Sequence, residues 1–582
     1  MPDLRKPIAF DTTLRNPYRI PGFIKIFKEY EGQILTHDKI IEIEAKLIQE
    51  KEFEPKAKTL GTYKRVHDGK FHFEAEDQSD EAPDKVRNYY NEWKKNDPGC
   101  TSLDKIIYLL KNTVTDHKDH WAGGWETRLW TQCKFLNELG LVYMEKDCEI
   151  KISDTANLML TNYEEGTEAS TYVQSAFLSA FSKYQINNPF RSNTVNVNFF
   201  PLVLNVIKYL KERYDRPGIF YQDISFIIAW DNNDYVQLAE YIQAFRNQFH
   251  YNNVSNELVY SYAMNLLDDS TTNDVIAEAS QEFIEKKNKH YKFKQLTRET
   301  RDEVIRKLRM TRLISFRGAG RFIDFNNLEI DKINYIIENN SNNIETFDSV
   351  EAYFQYMGGV DEALVFDDEV ESSEDVVTAK ERAILEFANQ HDWEFIREQI
   401  EIISNGSDTK DTLLRFIDVP ARMEFLCSVI IKKKLPNVVV QANYIADDEG
   451  IPISTAGGQH GNSVGADIDI YEDNIHAIME PTAANSRSFQ TEHEVPSIKN
   501  HILGTKQKDV DEEKPYTEWF AIFIAPHLVR DVADEVAARL YINRVEIYPW
   551  NATDFVDFTI SNNINSVNDY KIIRDYMKPQ VM

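Results

Sequence analysis

Two carboxylates, Asp467 and Glu480, stand thirteen residues apart in the run Asp467-Ile-Asp-Ile-Tyr-Glu-Asp-Asn-Ile-His-Ala-Ile-Met-Glu480-Pro-Thr482. Asp467, Asp469 and Tyr471 alternate with Ile468 and Ile470, the period of a strand with one oxygen-rich and one apolar face. Glu472-Asp473-Asn474 reads as a turn, and Ile475 to Met479 as a buried second strand that Glu480 closes. Carboxylates on neighbouring strand ends suit a hard divalent cation such as Mg²⁺, and phosphoryl chemistry is where proteins most often use such a pair. The alternative is a solvated acidic hairpin in a chain that carries 95 Asp and Glu residues.

The surrounding elements give that hairpin a setting. A helix over Ala421 to Ile431 carries Glu424, then come Lys432-Lys433-Lys434, a strand at Val438 to Val440 and a glycine-rich passage from Ala456 to Gly465. Such glycines let a loop approach a ligand closely. After Glu480 the chain passes Thr482 and Arg487 to Phe489-Gln-Thr-Glu492-His-Glu494, a helix from Val495 to Leu503 and a strand from Trp519 to Ala525. Upstream, Ala379 to Ile403 reads as one long helix. The order helix, three strands, helix, strand resembles the core of the PD-(D/E)xK nuclease fold. It departs from that pattern at Thr482, where lysine is usual. Gln490, Glu492 and Lys499 are the neighbouring residues that could orient an attacking water in its place.

At 582 residues the chain has room for about two to four domains. Its hydrophobic fraction of 42% and charged fraction of 28% are those of soluble protein, with no apolar run long enough to cross a bilayer. The first residues lack the apolar core of a signal peptide, so a cytoplasmic protein without a membrane partner is expected. Four scattered cysteines, none in a C-x-x-C pair, support neither a zinc site nor a disulfide framework. A net charge of -29 opposes nucleic acid at long range. Yet Lys286 to Arg321 holds thirteen Lys and Arg against only Glu299, Asp302 and Glu303. Screening over about 8 Å lets such a local basic face act on its own.

The first 350 residues read mainly as helices with short hairpins. Ile24 to Ile48 gives two helices broken at Glu31-Gly32, and Leu202 to Arg213 and Val236 to Phe249 are core helices. A helix at Arg128 to Leu139 runs through Gly140 into a hairpin at Leu141 to Ile152. A second helix, Glu299 to Thr311, runs into two strands joined at Gly318-Ala-Gly320. Helix followed by hairpin is the winged-helix pattern. The acidic stretch Asp361 to Asp375 reads as a linker. The expected architecture is multidomain: a mainly α DNA-recognition region over 1–350 with winged-helix-like units, an acidic linker over 351–385, and an α/β PD-(D/E)xK-type endonuclease domain over 386–582.

Taken in order, these passages resemble the AlwI-type family of Type IIS restriction endonucleases and its site-specific nicking relatives. Thr12-Thr-Leu-Arg15-Asn-Pro17-Tyr-Arg19 is similar to the family's opening motif, followed by Phe27 to Gly32. Ala239 to Asn247 is similar to a helix of the recognition half. Pro420 to Leu426 resembles the glutamate-bearing helix, Asp467 to Thr482 the Asp and Glu-x-Thr spacing, and Phe520 to Pro526 the strand that follows. The resemblance implies that Glu424, Asp467, Glu480 and Glu492 fill four acidic active-site positions; a shift of one or two residues would select His493 or Glu494 in place of Glu492. It also implies that threonine at Thr482 is normal for the family.

The chemistry implied is Mg²⁺-dependent hydrolysis of a phosphodiester a few base pairs from a short asymmetric duplex site, leaving a 3′-hydroxyl and a 5′-phosphate. Asp467 and Glu480 would hold the metal, with Glu424 and Glu492 assisting through water or proton transfer. Arg15, Arg19, Arg298, Arg301, Arg309, Arg317 and Arg321 form the pool for contacts with double-stranded DNA, since arginine suits guanine edges and phosphates. One metal site cuts one strand, so double-strand cleavage would need a second copy or a separate catalytic subunit. The rival readings are a non-cleaving DNA-bound regulator with an inactive nuclease-like assembly domain, and a carboxylate-pair hydrolase of sugars, which would leave the basic units without a purpose.

Overall fold

The computed structural model describes residues 6–10, 14–68, 72–115, 122–164, 170–191, 195–251, 254–266, 291–341, 344–366, 373–456 and 465–578. The chain divides into two compact units, Met1–Ser315 with Asp324–Glu369, and Phe316–Ile323 with Val370–Met582. No described helix is long and apolar enough to cross a membrane.

The first unit is mainly helical. Phe10, Phe135, Phe181, Tyr184 and Phe199 pack ring against ring in its core, and all are buried. Charge is buried there in matched sets. Arg216 and Arg246 lie 3.0 and 2.6 Å from Asp223, all three within a few per cent of complete burial. The early helices are Ile20–Lys28 and His37–Gln49, the second capped by Thr36, whose hydroxyl accepts from Lys39 N. Helix Trp125–Glu138 leads through Gly140 to the pair Val142–Tyr143 and Lys151–Ile152, with Val142 opposite Ile152. Gly140 sits at φ 64°, and a Cβ there would fall 2.3 Å from Met357 Cβ, so the turn tolerates only glycine. The second helix-and-hairpin run is Thr300–Met310 followed by Ile314–Arg317 and Phe322–Phe325.

Two expectations change. The stretch 351–385 is not a simple linker: Val350–Gly358 is a helix that buries Tyr353, Phe354 and Met357 in the first unit, and a further helix begins at Ser373. Residues 367–372 of the acidic run lie outside the described residues. The expected single helix from Ala379 to Ile403 is two helices. The first ends at Gln390, and Asp392 caps the second, its carboxylate accepting from Phe395 N at 2.9 Å.

In the second unit we label α1 (Ser373–Gln390), α2 (Trp393–Ser404), α3 (Val419–Lys434), β1 (Val439–Ala442), β2 (Ile468–Glu472), β3 (Ile475–Pro481), α4 (Val495–Asp511), β4 (Glu518–Ala525), α5 (Asp531–Asn543), β5 (Ile547–Asn551) and α6 (Ala552–Ser561). The sheet order is β5-β4-β3-β2-β1. Strand β2 is antiparallel to both β1 and β3, and β3, β4 and β5 run parallel to one another. Alternate residues feed two apolar layers. Ile468, Ile470, Ala477, Met479, Phe520 and Ile522 pack with buried residues of α3 and α6, while Ile478, Ala521 and Phe523 pack with Val495, Ile498, Ile502 and Val532 of α4 and α5. Helices on both faces explain why β3 and β4 are almost continuously apolar. Helix α5, strand β5 and helix α6 extend the core beyond the elements read from sequence.

Candidate active site

Strand register explains the thirteen-residue spacing. Ile468 pairs with Met479 and Asp469 with Ile478, so one step further along the ladder Asp467 faces Glu480. Opposed residues on antiparallel strands point to the same face, here the one covered by α4. Tyr471 and His476 form another pair of that ladder, and their rings lie 4.3 Å apart.

Glu480 is buried, and His501 Nδ1 of α4 lies 2.7 Å from its Oε1. Glu424, on α3, is also buried and comes within electrostatic reach of Asp467. Burial, and then the charge of Asp467, push the Glu424 carboxyl up to about 9, against relief from Ala456 N–H and from Lys380. Asp467 is raised well above the usual carboxylate range by burial and by Glu480 and Glu494, and it shares a hydrogen bond with Glu480. Glu480 is raised by burial and by Glu494 and Asp469. Glu494 is raised by burial, opposed by the Thr482 hydroxyl and by His501 and His493. Burial and acidic neighbours therefore disfavour the charged forms of Glu424, Asp467 and Glu480 at one end of the sheet, and burial disfavours that of Glu494.

A second network fixes the strands behind this cluster. His476 is buried between two acids, with Nε2 2.9 Å from Asp469 Oδ1 and Nδ1 2.6 Å from Asp509 Oδ2. Asp509 also accepts from Trp519 Nε1 at 2.8 Å, and Asp469 from Asn443 Nδ2 at 2.7 Å. Asn443 N–H in turn donates to the Asp467 carbonyl at 2.9 Å, so the backbone that presents Asp467 is clamped from its neighbour strand.

The structure gathers Glu424, Asp467 and Glu480, and it brings Glu494 rather than Glu492 to them. Glu492 is exposed. The cause is a π-turn over Phe489–Glu494 that runs directly into α4 and changes which residues face inward. Gln490 is fully buried with its amide committed to the loop: Nε2 donates to Ala484 O and His527 O, and Oε1 accepts from Val529 N. Sequence reasoning put Glu492 first and held Glu494 as an alternative to it, and it missed His501 and Lys380. Glu494 and His501 lie seven residues apart on continuous helix, and that two-turn spacing was a usable signal. Lys380 comes from α1, and nothing in its local sequence marks it. Residues 457–464 of the glycine-rich passage lie outside the described residues.

Oxygen donors of this kind fit a hard cation, and Glu424 Oε2 is buried without a hydrogen-bond partner among the described residues. No three acidic, histidine or cysteine side chains converge into a ready ion cage among the described residues. Mg²⁺ does not require one, since it commonly takes one or two protein carboxylates and completes its shell with water and substrate phosphate.

The arginine pool is divided between places. Arg15, Arg298 and Arg301 line one cleft of the first unit. Arg309 is exposed further along the same helix, and Arg19 lies 5.8 Å over the Phe23 ring. Arg317 and Arg321 belong to the second unit, where Arg317 pairs with Glu449.

Acids gathered at strand ends of a mixed sheet with helices on both faces define an α/β domain with a candidate hydrolytic centre. The chain belongs to the AlwI restriction endonuclease family, whose model matches residues 137–358 and 367–561, together more than half of its length. The helix Ala239 to Asn247 and the catalytic passages fall inside those segments, and Thr12 to Arg19 falls outside them. No curated protein matches. Among solved structures, the chain is similar to the small subunit of the heterodimeric restriction endonuclease R.BspD6I, at 17% identity over 28% of this chain and 76% of that one, with a TM-score of 0.22. It is similar to the BpuJ1 endonuclease binding domain in complex with modified DNA, at 14% identity over 44% and 83%, with a TM-score of 0.26. It is also similar to the restriction endonuclease FokI bound to DNA, at 11% identity over 97% and 98%, with a TM-score of 0.23. TM-scores this low do not establish a shared fold.

Proposed function

We propose that the chain is a Mg²⁺-dependent, sequence-specific DNA endonuclease of the Type IIS kind, binding a short asymmetric duplex site and cutting a few base pairs away. The observation that carries this reading is the register of β2 and β3, which sets Asp467 opposite buried Glu480 at one end of the sheet, with buried Glu424 on α3 and with His501 2.7 Å from Glu480 Oε1. In this reading the second unit has a PD-(D/E)xK-type core, and the helix-and-hairpin runs over 125–152 and 300–325 are winged-helix-like contacts to DNA.

Asp467 and Glu480 would hold the metal, with Glu424 beside them. When bound, Mg²⁺ supplies charge neutralisation at the scissile phosphate and acidifies an attacking water. The chain's own residues do the rest. His501 would fix the rotamer of Glu480 through Oε1 and so keep its carboxylate turned toward Asp467. Thr482, which stands where the PD-(D/E)xK pattern has lysine, holds the Glu494 carboxyl by its hydroxyl, and Glu494 would then serve as a proton acceptor. One such cluster serves one strand at a time, so double-strand cleavage calls for a second copy or a separate catalytic subunit.

Incubating plasmid DNA with the purified chain in Mg²⁺ or in EDTA tests the reading, and sequencing the ends reports site, offset and strand together. Asp467→Ala is expected to abolish cleavage while leaving DNA binding in place. A fully active Asp467→Ala enzyme removes the metal assignment. Binding by the wild-type chain without any Mg²⁺-dependent cut favours the non-cleaving regulator.

A further inference from the structure

The cleft that receives Arg15, Arg298 and Arg301 has a volume of about 780 Å³ and is also lined by Tyr221, Lys294, Glu299, Asp302, Ile305 and Arg306. Five of these groups are cationic and two anionic, on a chain whose net charge is -29. Its construction is specific. Lys294 and Arg298 reach it from the start and the body of a π-turn, and Arg301 and Ile305, four residues apart, from one side of the helix that follows. The π-turn over Gln295–Glu299, continuing into the helix Thr300–Met310, sets the angle at which the first two project. Arg301 is half-buried and held from two sides, with its guanidinium 5.1 Å from the Tyr221 ring and Nη1 3.3 Å from Asn256 Oδ1.

Both acids are engaged with cations of the same wall. Glu299 lies 3.5 Å from Arg15, and Asp302 accepts from Arg306 Nε at 3.0 Å. Among the described residues no carboxylate pairs with Lys294 or Arg298, and both are exposed. The cleft thus presents uncompensated positive charge around a void, anchored by one pre-positioned guanidinium.

We propose that this cleft is a phosphate clamp for the backbone of duplex DNA, with Lys294, Arg298 and Arg301 as its contacts and Tyr221 as the support of Arg301. Point charges from several directions suit the oxygens of a phosphodiester. Reading a base edge requires a planar fork aligned with donors and acceptors in a groove. The inference rests on the reading of the protein as a DNA endonuclease and assigns this cleft to affinity, not to sequence choice.

The test measures binding of the full chain to a random-sequence duplex in EDTA across a series of salt concentrations. For Lys294→Ala with Arg298→Ala, the slope of log affinity against log salt should fall by about 1.8, near 0.9 for each phosphate released. The wild-type advantage should accordingly shrink about twelvefold between 50 and 200 mM salt. The paired Arg298→Lys and Arg301→Lys variant should keep most of the wild-type slope, because a phosphate accepts a point charge where a base edge does not. Plasmid ends cut by excess variant should map to the wild-type site. An unchanged slope in a variant whose circular dichroism melt matches wild type overturns the clamp. So does a changed cut site or a lysine variant that fails to rescue, either of which makes the cleft a reader of bases. Failure of the wild-type chain to bind any duplex refutes the endonuclease reading itself.

Discussion

Replacing His476 by leucine isolates how far the candidate site depends on the charge network behind it. His476 is 4% exposed, and each ring nitrogen faces a carboxylate, at 2.9 Å for Asp469 and 2.6 Å for Asp509. Two acceptors require two N–H donors, so the ring in place is an imidazolium. Burial pulls its pKa down, but hydrogen bonds and charge from Asp469 and Asp509 outweigh that and raise it above 6.5. Leucine removes the cation and strands two acids that keep only Asn443 and Trp519 as partners. Breaking a buried pair from one side costs about 3–5 kcal/mol. With a urea slope of about 2 kcal/mol per molar, the unfolding midpoint of the second unit should fall by about 2 M. Combining the change with Asp509→Asn should recover part of the loss, with a coupling of about 2–3 kcal/mol. The pH dependence has a definite sign. A histidine whose folded pKa is raised contributes stability that is complete below its unfolded value near 6.5 and is lost as pH rises through the folded value. Wild type should therefore lose more stability than His476→Leu as pH rises above about 6.5. A His476→Leu midpoint within about 0.5 M of wild type at pH 7, or equal pH slopes for the two proteins, refutes the reasoning.

Two further outcomes separate neighbouring acids and test a buried one. Glu494→Gln should lower cleavage by about a hundredfold, as general acid–base groups do, while Glu492→Gln should cut at nearly the wild-type rate; the reverse ranking in a plasmid assay reassigns the fourth acid. In the first unit Glu44 is fully buried, with Gln132 Nε2 3.3 Å from its Oε1, and burial pushes its pKa up to about 8 despite Arg128. Its folded form is stable while protonated, and that stability is lost as pH rises from about 4.5 to about 8. Glu44→Gln should therefore gain on wild type by about 4 kcal/mol between pH 5 and pH 8.5, as read from urea unfolding at both values.

The catalytic hairpin was legible because strand alternation and an apolar return strand are local patterns, and the pairing of Ile468 with Met479 places Asp467 opposite Glu480 as that pattern requires. Glu424 was legible only through resemblance, since its partner Asp467 lies more than forty residues away. Glu494 was obscured by backbone geometry. A helical period applied through Phe489–Glu494 assumes 3.6 residues per turn, and the π-turn breaks that assumption. The two helices read as one, α1 and α2, show the same limit from the other side: their apolar rhythm continues across His391, and the interruption is visible only as the cap at Asp392. In the recognition half, the run of cations was plain in sequence. Which of them share a cleft depended on Arg15 arriving from the far end of the unit.

The short piece Phe316–Ile323 has a practical consequence for taking this protein apart. It counts with the second unit although residues on both sides of it count with the first, so the chain leaves, returns and leaves again. Within the second unit, Asp447 accepts from Gly320 N–H at 3.2 Å and Asp448 from Phe316 N–H at 2.7 Å, and Phe322 meets the Phe416 ring edge-on. A fragment begun at Val370 would carry these acceptors and that ring without their partners. Moving the second unit onto another protein would thus take more than one cut: the eight-residue tip would have to travel with it, supplied as a tethered peptide or built in by circular permutation.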